Sequence, residues 1–289
     1  MSTALLTDQY ELTMVDAARA SGRAGRQAVF EVFGRQLPPG RRFGVVAGTH
    51  RLLDAIENFH FGEEELAFLS DHHIVSDETL SWLSTYRFSG TIRGYGEGEV
   101  YFPGSPILTV EGTFGEAVLL ETLILSVLNY DSAVASAAAR MVHASDHREL
   151  IEMGARRASE YSAVAAARAA YIAGFSATSN LEAGRLYGIP TRGTAAHSFT
   201  LVHDNEEEAF AAQVASMGTN TTLLIDTYDI AQGVERAIRV AGTELGAVRI
   251  DSGDLPVVVA KVRAQLEQGR DIAISDQQFW MAADQIKID

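Results

Sequence analysis

From residue 221 onward the chain repeats one pattern: an apolar run, a polar turn rich in acids, then a segment with helical spacing. TTLLIDTYD (221–229) leads into Ile230–Ala241, AVRIDSGD (247–254) leads into 255–267, and 271–275 reads as a third strand. The period is about 25 residues, the length of a β–α unit. Parallel strands need a crossover, and crossovers are right-handed, so consecutive units wind into an open sheet or a closed barrel. In both, ligands collect at the C-terminal ends of the strands. Asp226, Asp229, Asp251 and Asp254 fall at those ends.

The first part of the chain lacks this rhythm. Residues 8–20 have the spacing of an amphipathic helix, with Leu12, Val15 and Ala18 on one side. Short β-like runs at 28–33 and 43–47 flank the turn-forming LPPGRR, and a helical stretch near 48–58 precedes the polar FGEEEL. Residues 90–114 suggest short strands joined by tight turns. At Gly115 the character changes. Residues 116–143 and the Ala-rich 146–173 both read as helices. The expected division is an N-terminal α+β domain over 1–115 and an α/β domain over 116–289.

Composition narrows the function classes. The 289 residues carry a formal charge of −15, which repels nucleic acid and anionic lipid, so neither is an expected partner. A site for small anions must then be locally positive, which gives weight to arginines inside motifs. There is no cysteine, which excludes a disulfide framework and thiolate catalysis and suits a cytoplasmic setting. The N-terminus carries acids where a signal peptide needs bases. No stretch reaches the roughly 18 uninterrupted apolar residues of a membrane span; Glu121 and Arg168 break the best ones.

Five segments carry candidate chemistry. RGTAAHSF (192–199) sets Thr194, His197 and Ser198 together, with Arg192 near. A histidine among hydroxyls serves as base, nucleophile or anion ligand, although a lone histidine in a turn is more often structural. In VRIDSGD (248–254), strand alternation puts Arg249 and Asp251 on one face, as a substrate site or as a structural ion pair. Asp226 of LIDTYD ends an apolar strand, and Asp229 could cap the helix that follows. EMGARR (152–157) holds Arg156 and Arg157, able to grip a phosphate or carboxylate, or merely solvated. In TDQYELT, Thr7 or Asp8 suits a helix cap and Tyr10 suits a core or a stacking platform. The P-loop, G-x-G-x-x-G and HExxH patterns are absent, and the pair His72 and His73 reads as surface.

Taken jointly, TDQYELTM, GRRFGVVAG, GEGEVYFPGSPILTVEG, LLETLILSVLNYDSAVASAAARM, EMGARR, AGFSATSN, YGIPTRGTAAHSF, LLIDTYD and VRIDSGD stand in an order that resembles the nicotinate phosphoribosyltransferases, from residue 4 to about 268. The resemblance implies an irregular α/β barrel of the type II phosphoribosyltransferase kind, with an N-terminal sandwich-like α+β domain, in a homodimer with shared active sites. It implies a reaction of nicotinate, phosphoribosyl pyrophosphate and ATP with Mg²⁺, giving nicotinate mononucleotide, pyrophosphate, ADP and phosphate for NAD salvage. By the same resemblance His197 is the histidine that ATP phosphorylates, Thr194 and Arg249 contact nicotinate, and Tyr10 stacks on the pyridine in the partner's site. Arg156, Asp226 and Asp251 match positions lining the pocket, the two acids being candidates for catalysis and for Mg²⁺.

Ser179, in AGFSATSN, bears on substrate choice. The related nicotinamide enzymes carry Asp in this motif, and a carboxylate there would repel nicotinate, whereas a hydroxyl donates to it. The resemblance fades after about residue 268. Neither the Gly-rich phosphate loop nor the last barrel strands of the family follow, so a C-terminally truncated and even non-catalytic member is the alternative expectation, with a nicotinamide or quinolinate enzyme a further one.

Overall fold

The structure, a computed structural model, describes residues 2–270 and 279–281. Two compact units form, one from Met1–Ala144 with Glu160–Phe175, the other from Ser145–Ser159 with Ser176–Asp289. The change of character expected at residue 115 lies inside the first unit.

The first unit contains helices α1 (Gln9–Ala20), α2 (Thr49–Glu57), α3 (Glu63–Asp71), α4 (Asp77–Leu83), α5 (Phe114–Val118), α6 (Glu121–Ala144) and α7 (Glu160–Ile172). Its strands are β1 (Gln27–Phe33), β2 (Gly44–Val45), β3 (Thr91–Gly94), β4 (Val100–Tyr101) and β5 (Pro106–Thr113). An antiparallel sheet runs β1-β5-β3, with Phe30 opposite Val110 and Thr91 opposite Glu111. Its core joins Leu12, Leu52, Leu83, Leu119, Leu120 and Leu123 to three rings, Phe59, Phe61 and Tyr86, which meet edge to face at centroid distances of 5.8–5.9 Å.

Helix α6 is the axis of this unit. Leu123, Ile124, Val127, Leu128 and Asp131 recur at helical spacing and are all buried. Alanines let it approach α7 closely, Ala135 and Ala169 sharing one cluster. Its hydroxyls complete the short β2 segment, since Val45 N donates to Ser136 Oγ at 2.8 Å and Ala47 N to Ser132 Oγ at 3.2 Å. Among the described residues α6 alone is long and apolar enough to cross a membrane, and half of that stretch is buried inside the protein.

The second unit contains β6 (Ile151–Glu152), β7 (Ala177–Thr178), α8 (Leu181–Tyr187), α9 (His197–Leu201), α10 (Glu206–Met217), β8 (Thr222–Leu224), α11 (Ile230–Ala241), β9 (Ala247–Ile250), α12 (Leu255–Arg270) and β10 (Phe279–Met281). The expected β–α rhythm is present: β8 and β9 are parallel, β10 joins the far side of β9, and the order is β10-β9-β8. Leu223, Ile225, Val248 and Ile250 pack with Phe210, Val234, Ala237 and Val262 from the helices. The strand expected at 271–275 lies outside the described residues.

Two expectations are corrected. No sheet among the described residues closes into the irregular α/β barrel that the resemblance implied. The parallel strands lie in two separate sheets, β10-β9-β8 and β6-β7, whereas closure needs a ring in which every strand is paired on both sides. Nor is 146–173 one helix. Ile151–Glu152 pairs in parallel with Ala177–Thr178, and a tight helical turn follows at Gly154–Arg157, so only α7 keeps the helix. Strand pairing across the chain overrode the local preference of an Ala-rich segment.

Candidate functional site

Strands β8 and β9 are parallel neighbours, so their C-terminal ends deliver Asp226, Thr227, Asp251 and Ser252 to one place. The backbone fixes the two acids. Asp251 N donates to Asp226 Oδ2 at 2.8 Å, and Ser252 Oγ donates to the same oxygen at 2.7 Å. Asp226 is buried and does not cap the next helix; Asp229 does, accepting from Gln232 N at 2.9 Å.

Arg249 crosses from β9 to the RGTAAHSF segment. One guanidinium nitrogen donates to Thr194 Oγ1 at 2.9 Å and to Ala195 O at 3.3 Å, and the other donates to Asp251 Oδ2 at 2.9 Å. His197 opens α9, its Nδ1 3.2 Å from Thr227 Oγ1 and its Nε2 3.7 Å from Asp251 Oδ2. Its ring is 41% exposed, while the Arg249 and Asp251 side chains are 13% exposed, so the imidazole faces outward over a more buried charged floor.

Three buried atoms on that floor have no hydrogen-bond partner: Arg249 Nε, Asp226 Oδ1 and Asp251 Oδ1. A buried polar group left unsatisfied costs about 1–3 kcal/mol. The three, one donor and two acceptors, belong to one hydrogen-bonded network, where a polar ligand would satisfy them. Within electrostatic reach of Asp226 is Glu206, fully buried and paired with Arg236 at 2.8 Å. Burial raises its carboxyl above the ordinary value, Arg236 opposes this, and the charges of Asp226 and Asp229 add to the rise.

The sequence thus named five residues that the fold joins in one network: Thr194, His197, Asp226, Arg249 and Asp251. It missed Thr227 as the partner of His197, although the residue follows Asp226 directly. Ser179 and Arg156 belong to the β6–β7 strip. Ser179 N donates to Glu152 O at 2.8 Å, and Arg156 sits on the turn after β6. Tyr10 belongs to the other unit, where its ring is 45% exposed and its hydroxyl donates to Glu121 Oε1 at 3.1 Å. His72 and His73 are exposed.

A family model described as the nicotinate phosphoribosyltransferase (NAPRTase) N-terminal domain matches residues 5–129. Nicotinate phosphoribosyltransferase pncB1 of Mycobacterium tuberculosis is 56% identical over 272 residues, covering 91% of this chain and 60% of the relative. The nicotinate phosphoribosyltransferase of Bacillus subtilis is 36% identical, covering 92% of this chain and 56% of the relative. Among solved structures, human nicotinic acid phosphoribosyltransferase superposes with a TM-score of 0.82 at 28% identity, over 93% of this chain and 67% of that one. The chain therefore spans about 60% of the length of the curated relatives that it matches.

Proposed function

The chain belongs to the nicotinate phosphoribosyltransferase family, and from that premise we propose that it joins nicotinate to the ribosyl carbon of phosphoribosyl pyrophosphate, with ATP as cosubstrate. Products are nicotinate mononucleotide and pyrophosphate, with ADP from ATP and phosphate released when water hydrolyses the phosphohistidine. Three buried polar atoms without protein partners carry the proposal. Arg249 Nε is a donor suited to the nicotinate carboxylate, with the Thr194 hydroxyl beside it. Asp226 and Asp251 are acceptors suited to the positive, oxocarbenium-like sugar that forms as pyrophosphate leaves. The pyridine nitrogen supplies the electron pair for the new bond to the ribosyl carbon.

His197 is the outward-facing nucleophile, reached by solvent and by the terminal phosphate of ATP. Phosphorylation there places new negative charge beside Asp251 and so alters the affinity of the anionic ligands through the cycle. Among the described residues no group of three or more acids and histidines forms a metal centre. Mg²⁺, however, is commonly held by one or two carboxylates together with substrate phosphates, and Asp226 Oδ1 and Asp251 Oδ1 fit that mode. When bound, the ion would neutralise charge on the leaving pyrophosphate. The exposed Tyr10 ring is available to a second copy's site, which supports a homodimer, and the cysteine-free sequence suits the cytoplasm.

The same donors and acceptors would also serve a second reading, a family member that binds ligand without turning it over. Incubation of the chain with nicotinate, phosphoribosyl pyrophosphate and Mg²⁺, with and without ATP, separates the two. Nicotinate mononucleotide whose yield rises with ATP, with acid-labile phosphate lost in His197→Ala, supports the enzyme. Nicotinate binding without product supports the second reading, and neither binding nor product overturns both. Nicotinamide or quinolinate used in preference to nicotinate would overturn the substrate assignment, to which Ser179 contributes.

A further inference from the structure

Glu152 lies outside the network of Arg249 and His197, yet two motifs of the second unit meet on it and a third is joined to it through Thr178. Its Oε2 accepts from Thr178 Oγ1 at 2.7 Å and its Oε1 accepts from Gly154 N at 2.5 Å. Its carbonyl accepts from Ser179 N at 2.8 Å. Gly154 opens the turn that ends in Arg156 and Arg157, so the carboxylate holds that turn with Oε1 and β7 with Oε2.

Thr178 carries the link onward. It is fully buried, its N donates to Pro190 O at 3.0 Å, and Arg192 N donates to its carbonyl at 2.9 Å. Thr191 bridges it in parallel, so the segment that leads to Thr194 forms a third rail beside β6 and β7. Asn180 N donates to the same Thr178 hydroxyl at 3.0 Å, and the Asn180 side chain caps α8 by accepting from Ala183 N at 2.9 Å. One carboxylate–hydroxyl bond thereby joins EMGARR, ATSN and IPTRGT. Pairs this short, with a charged acceptor, are stronger than neutral hydrogen bonds and tolerate little play.

We propose that Glu152 is a positioning residue of the proposed transferase site, holding the Arg156 turn, Ser179 and the approach to Thr194 in register through its bond to Thr178. The inference rests on the nicotinate reading, because Ser179 and Thr194 matter to catalysis only if they meet that substrate. Groups held in advance spare the ligand the cost of ordering them, so slack in this joint is read first in the affinity for nicotinate.

The test uses the full 289-residue chain and measures nicotinate Kd by calorimetry, nicotinate KM and kcat by product formation, and Tm. Glu152→Ala is expected to raise Kd and KM about tenfold with a smaller change in kcat. Glu152→Gln, which keeps an acceptor and a polar head of the same length, is expected to recover most of that loss. Thr178→Val, which keeps the branched shape and removes the hydroxyl, is expected to raise Kd in the same direction and serves should Glu152→Ala fail to fold. A purely structural role would lower Tm and the active fraction but leave Kd and KM of the folded protein unchanged, and that result overturns the proposal. So does a Glu152→Gln variant as weak in binding as Glu152→Ala. Wild-type protein that binds nicotinate without product overturns the enzymatic reading alone and leaves the Kd comparison decisive for Glu152. Absence of binding in the wild type overturns both.

Discussion

Arg249 and Thr194, 55 residues apart in the chain, meet at 2.9 Å, and the same guanidinium reaches Asp251 with its other arm at 2.9 Å. The arginine therefore enters the site already oriented, with its Nε left over. Orientation in advance spares a ligand the entropy of ordering a long side chain. It also makes the site depend on the planar fork and not on charge alone.

Arg249→Lys keeps the charge and loses the fork. Thr194 and Asp251 cannot both be held by one ammonium in this geometry, and Nε disappears. Hydrogen bonds to charged groups contribute about 1.5–3 kcal/mol each, so kcat/KM for nicotinate is expected to fall roughly 10- to 100-fold. Steady-state kinetics at fixed phosphoribosyl pyrophosphate measures this. A fall of less than about twofold would remove Arg249 from the nicotinate contact.

Ser179→Asp tests the choice between acid and amide. The backbone there is held by Glu152 O, so the new carboxylate stays at the end of β7. Like charge against nicotinate raises its KM, about tenfold or more, while an amide substrate gains an acceptor. The ratio of kcat/KM for nicotinate to that for nicotinamide is the readout. An unchanged ratio would sink the role given to this position.

Much of the site was legible because its chemistry obeys local rules. Arg249 and Asp251 are two residues apart on a strand, so alternation alone puts them on one face. Asp226 and Asp229 follow an apolar run, which placed them at a strand end, though only the fold decided which acid caps α11 and which turns inward. What stayed hidden depends on distant partners. The pairing of Ile151 with Ala177 broke a stretch that local propensity reads as helix. Barrel closure is a property of the ring of neighbours, and no window of sequence contains it. The role of Glu152 rests on Thr178, 26 residues away, which only the fold brings to it.

Glu11 predicts a pH dependence of stability. The carboxyl is buried at the start of α6, with Thr122 N and Thr122 Oγ1 both donating to Oε1 at 2.8 Å and Oε2 unpartnered. Burial raises it above its ordinary value of 4.5, Glu121 adds to the rise, and the Thr122 bonds oppose it. The native chain thus keeps this proton to higher pH than the unfolded chain. The contribution to stability is full below 4.5 and is lost as pH rises through the raised value. Glu11→Gln keeps an oxygen for both Thr122 bonds and carries no charge at any pH. Its Tm is expected to exceed that of the wild type near neutrality, with the gap closing as pH falls toward 4.5. A gap of constant size across that range would show that the carboxyl is not the cause.

Asp131 sits on the inner face of α6, 1% exposed, and takes both arms of Arg51, at 2.7 Å and 3.2 Å. Gly48 passes so close that a Cβ built on it would lie 2.9 Å from the carboxylate, so only glycine fits beside Asp131 there. Asp131→Asn preserves shape, opens no cavity, and sets an amide donor against a guanidinium donor. Breaking one side of a buried pair costs about 3–5 kcal/mol. Arg51 is one-third exposed and can turn partly to water, which puts the expected loss near the lower figure, about 3 kcal/mol. Arg51→Met with Asp131→Asn leaves no unmatched charge and is expected to restore much of that loss, a coupling that a double-mutant cycle reads directly from urea denaturation. Additive single-site effects would mean that the two side chains are held by their surroundings and not by each other.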